Sequence, residues 1–201
     1  MATEKAKKTA EKIKAAATKL FGRYGFYNVS IKQIAAEAGT NTALISYYFG
    51  GKQQLYAAVI AQQYELIEKL QARIKKEKGS ALTQLYSYLE GIMKAQLNKS
   101  ENINLIYREV LTPTGMCDLS INNFFIALHN FTKDLLKAAI KEKSIKPLDD
   151  ESAAAFIMES ITVLIFLVRN PLAETFGNKV NNYDEALKNI IASYLEPYLT
   201  K

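Results

Sequence analysis

The sequence predicts an all-α protein with a three-helix N-terminal head and a six-helix C-terminal body. Three observations carry that expectation. Most segments repeat their apolar residues with a 3.6-residue period. Proline and strong turn signals are scarce. The excess positive charge is confined to the first quarter of the chain: residues 1–52 hold nine Lys/Arg against three Asp/Glu, and residues 53–201 hold seventeen of each. A basic module on a neutral body points to a polyanion as the partner of the module alone. A solvated lysine-rich N-terminus is the plainer alternative.

The elements follow in order. Residues 5 to 24 place Ile13, Ala16, Ala17, Leu20, Phe21 and Tyr24 on one stripe with lysines opposite, and Gly25 ends the helix. Ser30 opens SIKQIAAEAG, and Gln33 three residues later completes a capping-box pattern. Ile31, Ile34, Ala35 and Ala38 form the apolar face of this second helix, which Gly39 stops. Asn41 can cap a third, roughly Thr42 to Tyr48, with Leu44, Ile45 and Phe49 facing inward. A long amphipathic helix follows Lys52 up to Gly79, and Ser80 opens another, ALTQLYSYLEGIMKAQLN. The body is completed by Asn102 to Leu111, a helix starting at Asp118 or Ser120, Asp149 to Asn170, and Asp184 to Leu199. The domains expected are 1–52 and 53–201.

Composition narrows the class. Nearly half of the 201 residues are apolar and about a quarter are charged, as in a soluble globular chain. A single cysteine, Cys117, excludes an internal disulfide and fits a reducing, cytoplasmic setting. The N-terminal stretch KAKKTAEKIK lacks the apolar core of a signal peptide. The longest apolar run, Val163 to Val168, is too short to span a bilayer. One His and one Cys leave no metal spacing, and HExxH, CxxC, P-loop, GxGxxG and GxSxG motifs are all absent from the sequence. Asp149, Asp150 and Glu151 stand at a helix start, where they favour the macrodipole. His129 reads as a hydrogen-bonded interior histidine before it reads as a catalyst. No cofactor and no enzymatic activity are expected.

Two short helices joined by a Gly-containing turn, behind a longer helix, form the helix-turn-helix arrangement. In GTNTALISYYFGGK, residues 39 to 52, the adjacent Tyr47 and Tyr48 cannot both enter one core. The short helix need only fill a major groove, so its outer face of Thr42, Ala43, Ser46 and Tyr47 can meet DNA. An ordinary small helical bundle is the alternative.

The run SIKQIAAEAGTNTALISYYFGGKQQLY resembles the DNA-binding signature of the TetR family of transcriptional regulators. The resemblance covers about residues 8 to 60 and rests on Phe21, Gly25, Ser30, Ile34, Ala35, Ala38, Gly39, Ile45, Tyr48, Phe49, Lys52 and Leu55. Thr40 stands where a small aliphatic is usual, Gly51 where a capping Ser or Asn is usual, and Ser46 where an aromatic is common. The phrase REVLTPT, Arg108 to Thr114, is similar to one branch of TetR-like regulators. The resemblance implies that Tyr48 donates its hydroxyl to a phosphate while its ring packs on the head. Lys52 would sit beside another phosphate, and Ser30 can offer its hydroxyl or the first N–H groups of its helix to a third. Lys32, Thr42, Ala43, Ser46 and Tyr47 are the candidates for base edges, with Asn41 on the same surface. Lys32 can reach a guanine, and Ala43 or the Thr42 methyl a thymine methyl.

The body has two expected duties. The helix of Ala153 to Val168 is apolar almost all round and must be covered all round. Phe156, Ser160 and Leu164, with Leu187, Ile191 and Tyr194 of the last helix, would meet a second copy in a four-helix dimer interface. A fully buried central helix in a monomer is the alternative. The second duty is a pocket: the resemblance implies a small apolar effector, with Tyr86, Tyr107, Arg108, Asn123, Phe125, His129, Thr162 and Phe166 as candidate contacts. The reading is therefore a homodimeric regulator on a palindromic double-stranded operator, a repressor released by ligand, with no membrane partner. Its rivals are a nonspecific basic DNA-coating protein and an α-helical enzyme that keeps the head as a relic.

Overall fold

The computed structural model describes residues 4–98, 100–176 and 183–200; the side chains of residues 97–104, 165, 166, 168–176, 183 and 184 are not described. The described chain is helical, with one isolated bridge between Ile145 and Leu199. The helices are α1 (Glu4–Tyr24), α2 (Ile31–Glu37), α3 (Thr42–Phe49), α4 (Lys52–Ile74), α5 (Ala81–Asn98), α6 (Ser100–Leu111), α7 (Asp118–Lys141), α8 (Glu151–Phe176) and α9 (Tyr183–Leu195). Their order is the expected one, but several ends differ. Helix α8 runs past Asn170 to Phe176. Helix α9 gives way to a 3-10 turn at Glu196–Tyr198, where Pro197 lacks the N–H that would continue an α-helix. Among the described residues no helix is long and apolar enough to cross a membrane.

By packing the chain forms two compact units: Met1–Leu66 with Lys99–Phe124, and Ile67–Asn98 with Phe125–Lys201. In the first, α1 packs on α2, α3 and α6. Phe21 and Phe26 place their rings 5.1 and 5.0 Å from that of Tyr56 on α4. All three are buried, as are Ile13, Ala17, Ile34 and Ile45. Tyr24 leaves the predicted α1 stripe and is half exposed. Burying each large apolar side chain contributes about 1.5–3 kcal/mol, which lets so small a unit hold three short helices in place.

In the second unit α5 packs on α8 and α9. Gly91 permits a close approach to α4: a Cβ there would lie 2.7 Å from Leu70 Cδ1. Gln71 of α4 donates to the Tyr88 hydroxyl at 3.2 Å and to the Ala127 carbonyl at 3.0 Å, tying α4, α5 and α7 together. Tyr88 stacks edge-on against Phe131 at 4.6 Å. Glu142 accepts from the first α5 amide, Ala81 N–H, at 2.8 Å.

Candidate nucleic-acid interface

The helix-turn-helix is α2, the turn 38–41, and α3. Ser30 caps α2 in a reciprocal box: its hydroxyl accepts from the Gln33 amide at 3.2 Å and donates to Gln33 Oε1 at 2.8 Å, while its own amide donates to that oxygen at 2.8 Å. The Ser30 hydroxyl is thus committed inside the chain. Of the two donors expected here, only the first α2 amides remain for an anion. Asn41 caps α3 by accepting from Leu44 N–H at 3.0 Å, so its carboxamide oxygen is committed too. Gly50 closes α3 with φ +79, a left-handed conformation that glycine reaches without Cβ strain.

Between these caps α3 has one fully buried residue, Ile45. Leu44, Tyr48 and Phe49 are half-buried, and Thr42, Ala43, Ser46 and Tyr47 are exposed. Tyr47 is 79% exposed and stands edge-on to Tyr48, ring centroids 5.0 Å apart. Lys32 on α2 is exposed. Lys52 holds its ammonium 4.2 Å over the Phe26 ring, and partial burial lowers its pKa. The predicted outer face is therefore one continuous surface on rigid supports. Tyr27, also exposed, was given no role by the sequence reading.

The REVLTPT segment is explained by what lies beneath. Glu109 is buried, accepts from the Tyr56 hydroxyl at 2.6 Å through Oε2, and from Thr114 N–H and hydroxyl at 2.9 and 2.7 Å through Oε1. Burial and this bond push the Tyr56 hydroxyl pKa upward. Arg108 lies against Gly25 and reaches the Arg23 carbonyl at 3.5 Å, at the α1 end. No part of the sequence reading foresaw this support. Glu109 gave no periodic signal, because its partners are 53 residues away and in the next turn.

The predicted effector contacts do not converge. Tyr107, Arg108 and Asn123 belong to the first unit, because α6 packs on α1. In the second unit Tyr86 is half-buried, and Thr162 is buried with its hydroxyl on the Glu159 carbonyl at 2.8 Å. The Phe166 side chain lies outside the described residues. Phe125 and His129 do meet, in a groove of about 890 Å³ between α7 and α8. Ile126 and Asn130 of α7 line it too, with Phe156, Ile157, Glu159, Ser160, Ile161, Val163, Leu164 and Leu167 of α8.

Three of the residues assigned to the dimer face, Phe156, Ser160 and Leu164, line this same groove. Phe156 is 66% and Leu164 58% exposed. Leu187 and Ile191 do not share that exposure: each is 1% exposed, buried with Leu195 on the inner side of α9. Tyr194 is half-buried, and Ile190 is the apolar residue that α9 leaves open. On α8 the inner face consists of Ala154, Ala155, Met158 and Thr162, so the bulkier side chains are left outside.

Residues 13–59 match the sequence profile described as bacterial regulatory proteins, tetR family. Over 150 residues the chain is 31% identical to the HTH-type transcriptional dual regulator CecR of Shigella flexneri, covering 68% of this chain and 66% of CecR. The chain belongs to the TetR family. A further TetR-type relative by sequence is the HTH-type transcriptional repressor NicS of Pseudomonas putida, 30% identical over 43% of this chain and 42% of NicS. The chain thus spans about two thirds of CecR and less than half of NicS. A TetR-family transcriptional regulator from Agrobacterium tumefaciens shares the fold at a TM-score of 0.77 and 19% identity, with 97% of this chain and all of that one covered. The TetR profile ends at residue 59, so it covers the capped helices and Tyr56 but neither Glu109 nor the α7–α8 groove.

Proposed function

We propose that the protein is a sequence-specific DNA-binding transcription regulator that acts as a homodimer on a palindromic operator. The observation that carries this is α3: eight residues, capped at both ends, anchored by buried Ile45, and presenting Thr42, Ala43, Ser46 and Tyr47 outward. An exposed polar face on so short a helix has no packing role, whereas a major groove admits it and reads it by hydrogen bonds and methyl contacts. Residues 1–52 supply the contacts. Lys32, Thr42, Ala43, Ser46 and Tyr47 read base edges, and Asn41 keeps its amide N–H groups for the same surface. Tyr48, Lys52 and the first amides of α2 behind Ser30 hold phosphates. Residues 53–201 carry dimerisation, through Phe156, Ser160 and Leu164, and the effector site, through Phe125 and His129.

The regulator works as a repressor that a small, largely apolar effector releases. Release requires the effector to bind the state that does not hold DNA more tightly than the state that does. Helix α4 contains residues of both units and is the covalent route for that coupling.

Selection from a randomised DNA pool tests the reading. The wild type should recover a palindrome with half-sites about one helical turn apart or somewhat more. Ser46→Ala should change the preferred base at one position per half-site by about 1 kcal/mol. Tyr48→Phe should weaken every site alike and leave the motif unchanged. Recovery of no motif at all favours the nonspecific DNA-coating protein.

A further inference from the structure

The floor of the α7–α8 groove holds a polar cluster in an otherwise apolar wall. His129 Nε2 lies 2.7 Å from the Ser152 hydroxyl, and Nδ1 lies 3.3 Å from Glu159 Oε2. One neutral tautomer satisfies both contacts: Ser152 donates to Nε2, and Nδ1–H donates to the carboxylate. Histidine therefore needs nothing more. Glu159 does. Its Oε1 is buried and has no hydrogen-bond partner among the described residues. The nearest hydroxyl, that of Thr132, is spent on the Leu128 carbonyl at 3.1 Å. A buried acceptor without a donor costs about 1–3 kcal/mol, and more when it is charged.

The groove lining states what is missing. No lysine or arginine lines the groove. A carboxylate or phosphate ligand would bring a second negative charge against Glu159 with nothing to offset it. The remaining wall, from Phe125, Phe156, Leu164 and Leu167, asks for an apolar body, and about 890 Å³ lies within the range of small-molecule sites. We propose that this groove takes a small apolar molecule bearing one protonated amine, whose N–H groups dock on Glu159 Oε1. The proposal rests on the reading of the second unit as the effector site, and it names the chemistry of that effector. Burial holds the Glu159 carboxyl above its usual range, and an ammonium beside it supplies the counter-charge that the chain does not. The Ser152–His129–Glu159 order resembles a hydrolytic triad, but the Ser152 and Ala153 amides that could serve a developing oxyanion are both bonded to Asp150 Oδ1, at 2.8 and 3.1 Å. Binding, not hydrolysis, fits the cluster.

Three size-matched probes decide it on the full chain: octylammonium, octanol and octanoate, followed by calorimetry below their aggregation limits. Octylammonium is expected to bind at least about tenfold more tightly than either other probe, the factor one charge-assisted hydrogen bond supplies. Glu159→Gln should abolish that preference while octanol binding is unchanged. Should that variant not fold, Glu159→Asp retracts the carboxylate and must weaken octylammonium alone. Equal or tighter binding of octanol or octanoate to the wild type overturns the proposal, as does an unchanged octylammonium affinity in Glu159→Gln. Absence of any binding, with a monomer–dimer constant altered by Glu159→Gln, also overturns it and assigns the groove to a second copy. DNA affinity of the same preparations without probe is read separately: its loss bears on the head, whereas intact DNA binding with no amine preference bears on the groove alone.

Discussion

The outer face of α3 and the groove between α7 and α8 are both open surfaces, and their chemistry is opposite. On α3 the exposed side chains are hydroxyls, a methyl and a phenol, set over a single fully buried isoleucine. Along the groove they are Phe156, Ile126, Ile157, Leu164 and Leu167. A polar face stays hydrated until it exchanges water for base edges and phosphates, so its energy lies in direction and in counterion release. An apolar face gains by losing water, at about 25 cal/mol per Å² covered, and asks for an apolar partner of any matching shape. The first surface selects; the second adheres. The polar exception within the groove, Glu159 with its bare oxygen, is where the second surface also acquires selectivity.

The largest effect that separates inner from outer apolar residues is a charge placed on each. Ile191→Glu puts a carboxylate in a site 1% exposed and should cost several kcal/mol, roughly the 3–5 kcal/mol of an unpaired buried charge, visible as lost helicity or a steep fall in Tm. Phe156→Glu, at a site 66% exposed, should leave the fold intact and remove the dimer in sedimentation. Operator affinity should then drop by about a hundredfold or more, because two linked heads bind with the avidity that a single head lacks. A Phe156→Glu variant that stays dimeric places the interface elsewhere.

That contrast also marks what the sequence could and could not reveal. The head was readable because its signals are local. Ser30 and Gln33 are three residues apart, Asn41 and Leu44 likewise, and glycine at position 50 has a left-handed backbone. The alternation of buried and open positions on α3 followed from Ile45 and the paired tyrosines. In the body the pattern was saturated. A helix apolar all round does not say which face is inside, and the choice was made by volume: Ala154, Ala155 and Met158 face inward, and Phe156 and Leu164 are left out. Leu187 and Ile191 were placed on the dimer face for their apolar surplus, and they are core. The grouping of α6 with α1 was invisible for another reason: it rests on Glu109 meeting Tyr56 across 53 positions, a contact with no period.

The head therefore depends on a polar buried support and the groove on an apolar one, and Tyr56→Phe tests the first half of that statement. The ring stays against Phe21 and Phe26, but Glu109 Oε2 loses its donor in a buried site. A loss of about 1–3 kcal/mol in denaturant unfolding is expected, more than deletion of an exposed hydroxyl gives. The unfolding slope should stay the same, since the surface buried is unchanged. A neutral outcome means that water or a rearranged Thr114 replaces the phenol, and the support is then looser than the geometry implies.

The smallest effect concerns the point where the two chemistries touch. Lys52 lies over the Phe26 ring at 4.2 Å, so its stem is packed and its charge faces the proposed DNA surface. As a phosphate contact it contributes through counterion release, and log affinity should fall with log salt by about 0.9 for each phosphate neutralised. Lys52→Met keeps most of the packed stem and removes the charge. It should flatten the salt slope by about one unit and weaken all DNA sequences alike, because a phosphate carries no sequence information. Phe26→Leu makes the complementary change: the ring is lost and the ammonium is kept. Its slope should match the wild type even if stability falls. If Lys52→Met leaves the slope intact while Phe26→Leu flattens it, the ammonium serves the core of the head rather than the DNA, and the phosphate role passes to Lys32 or the first amides of α2.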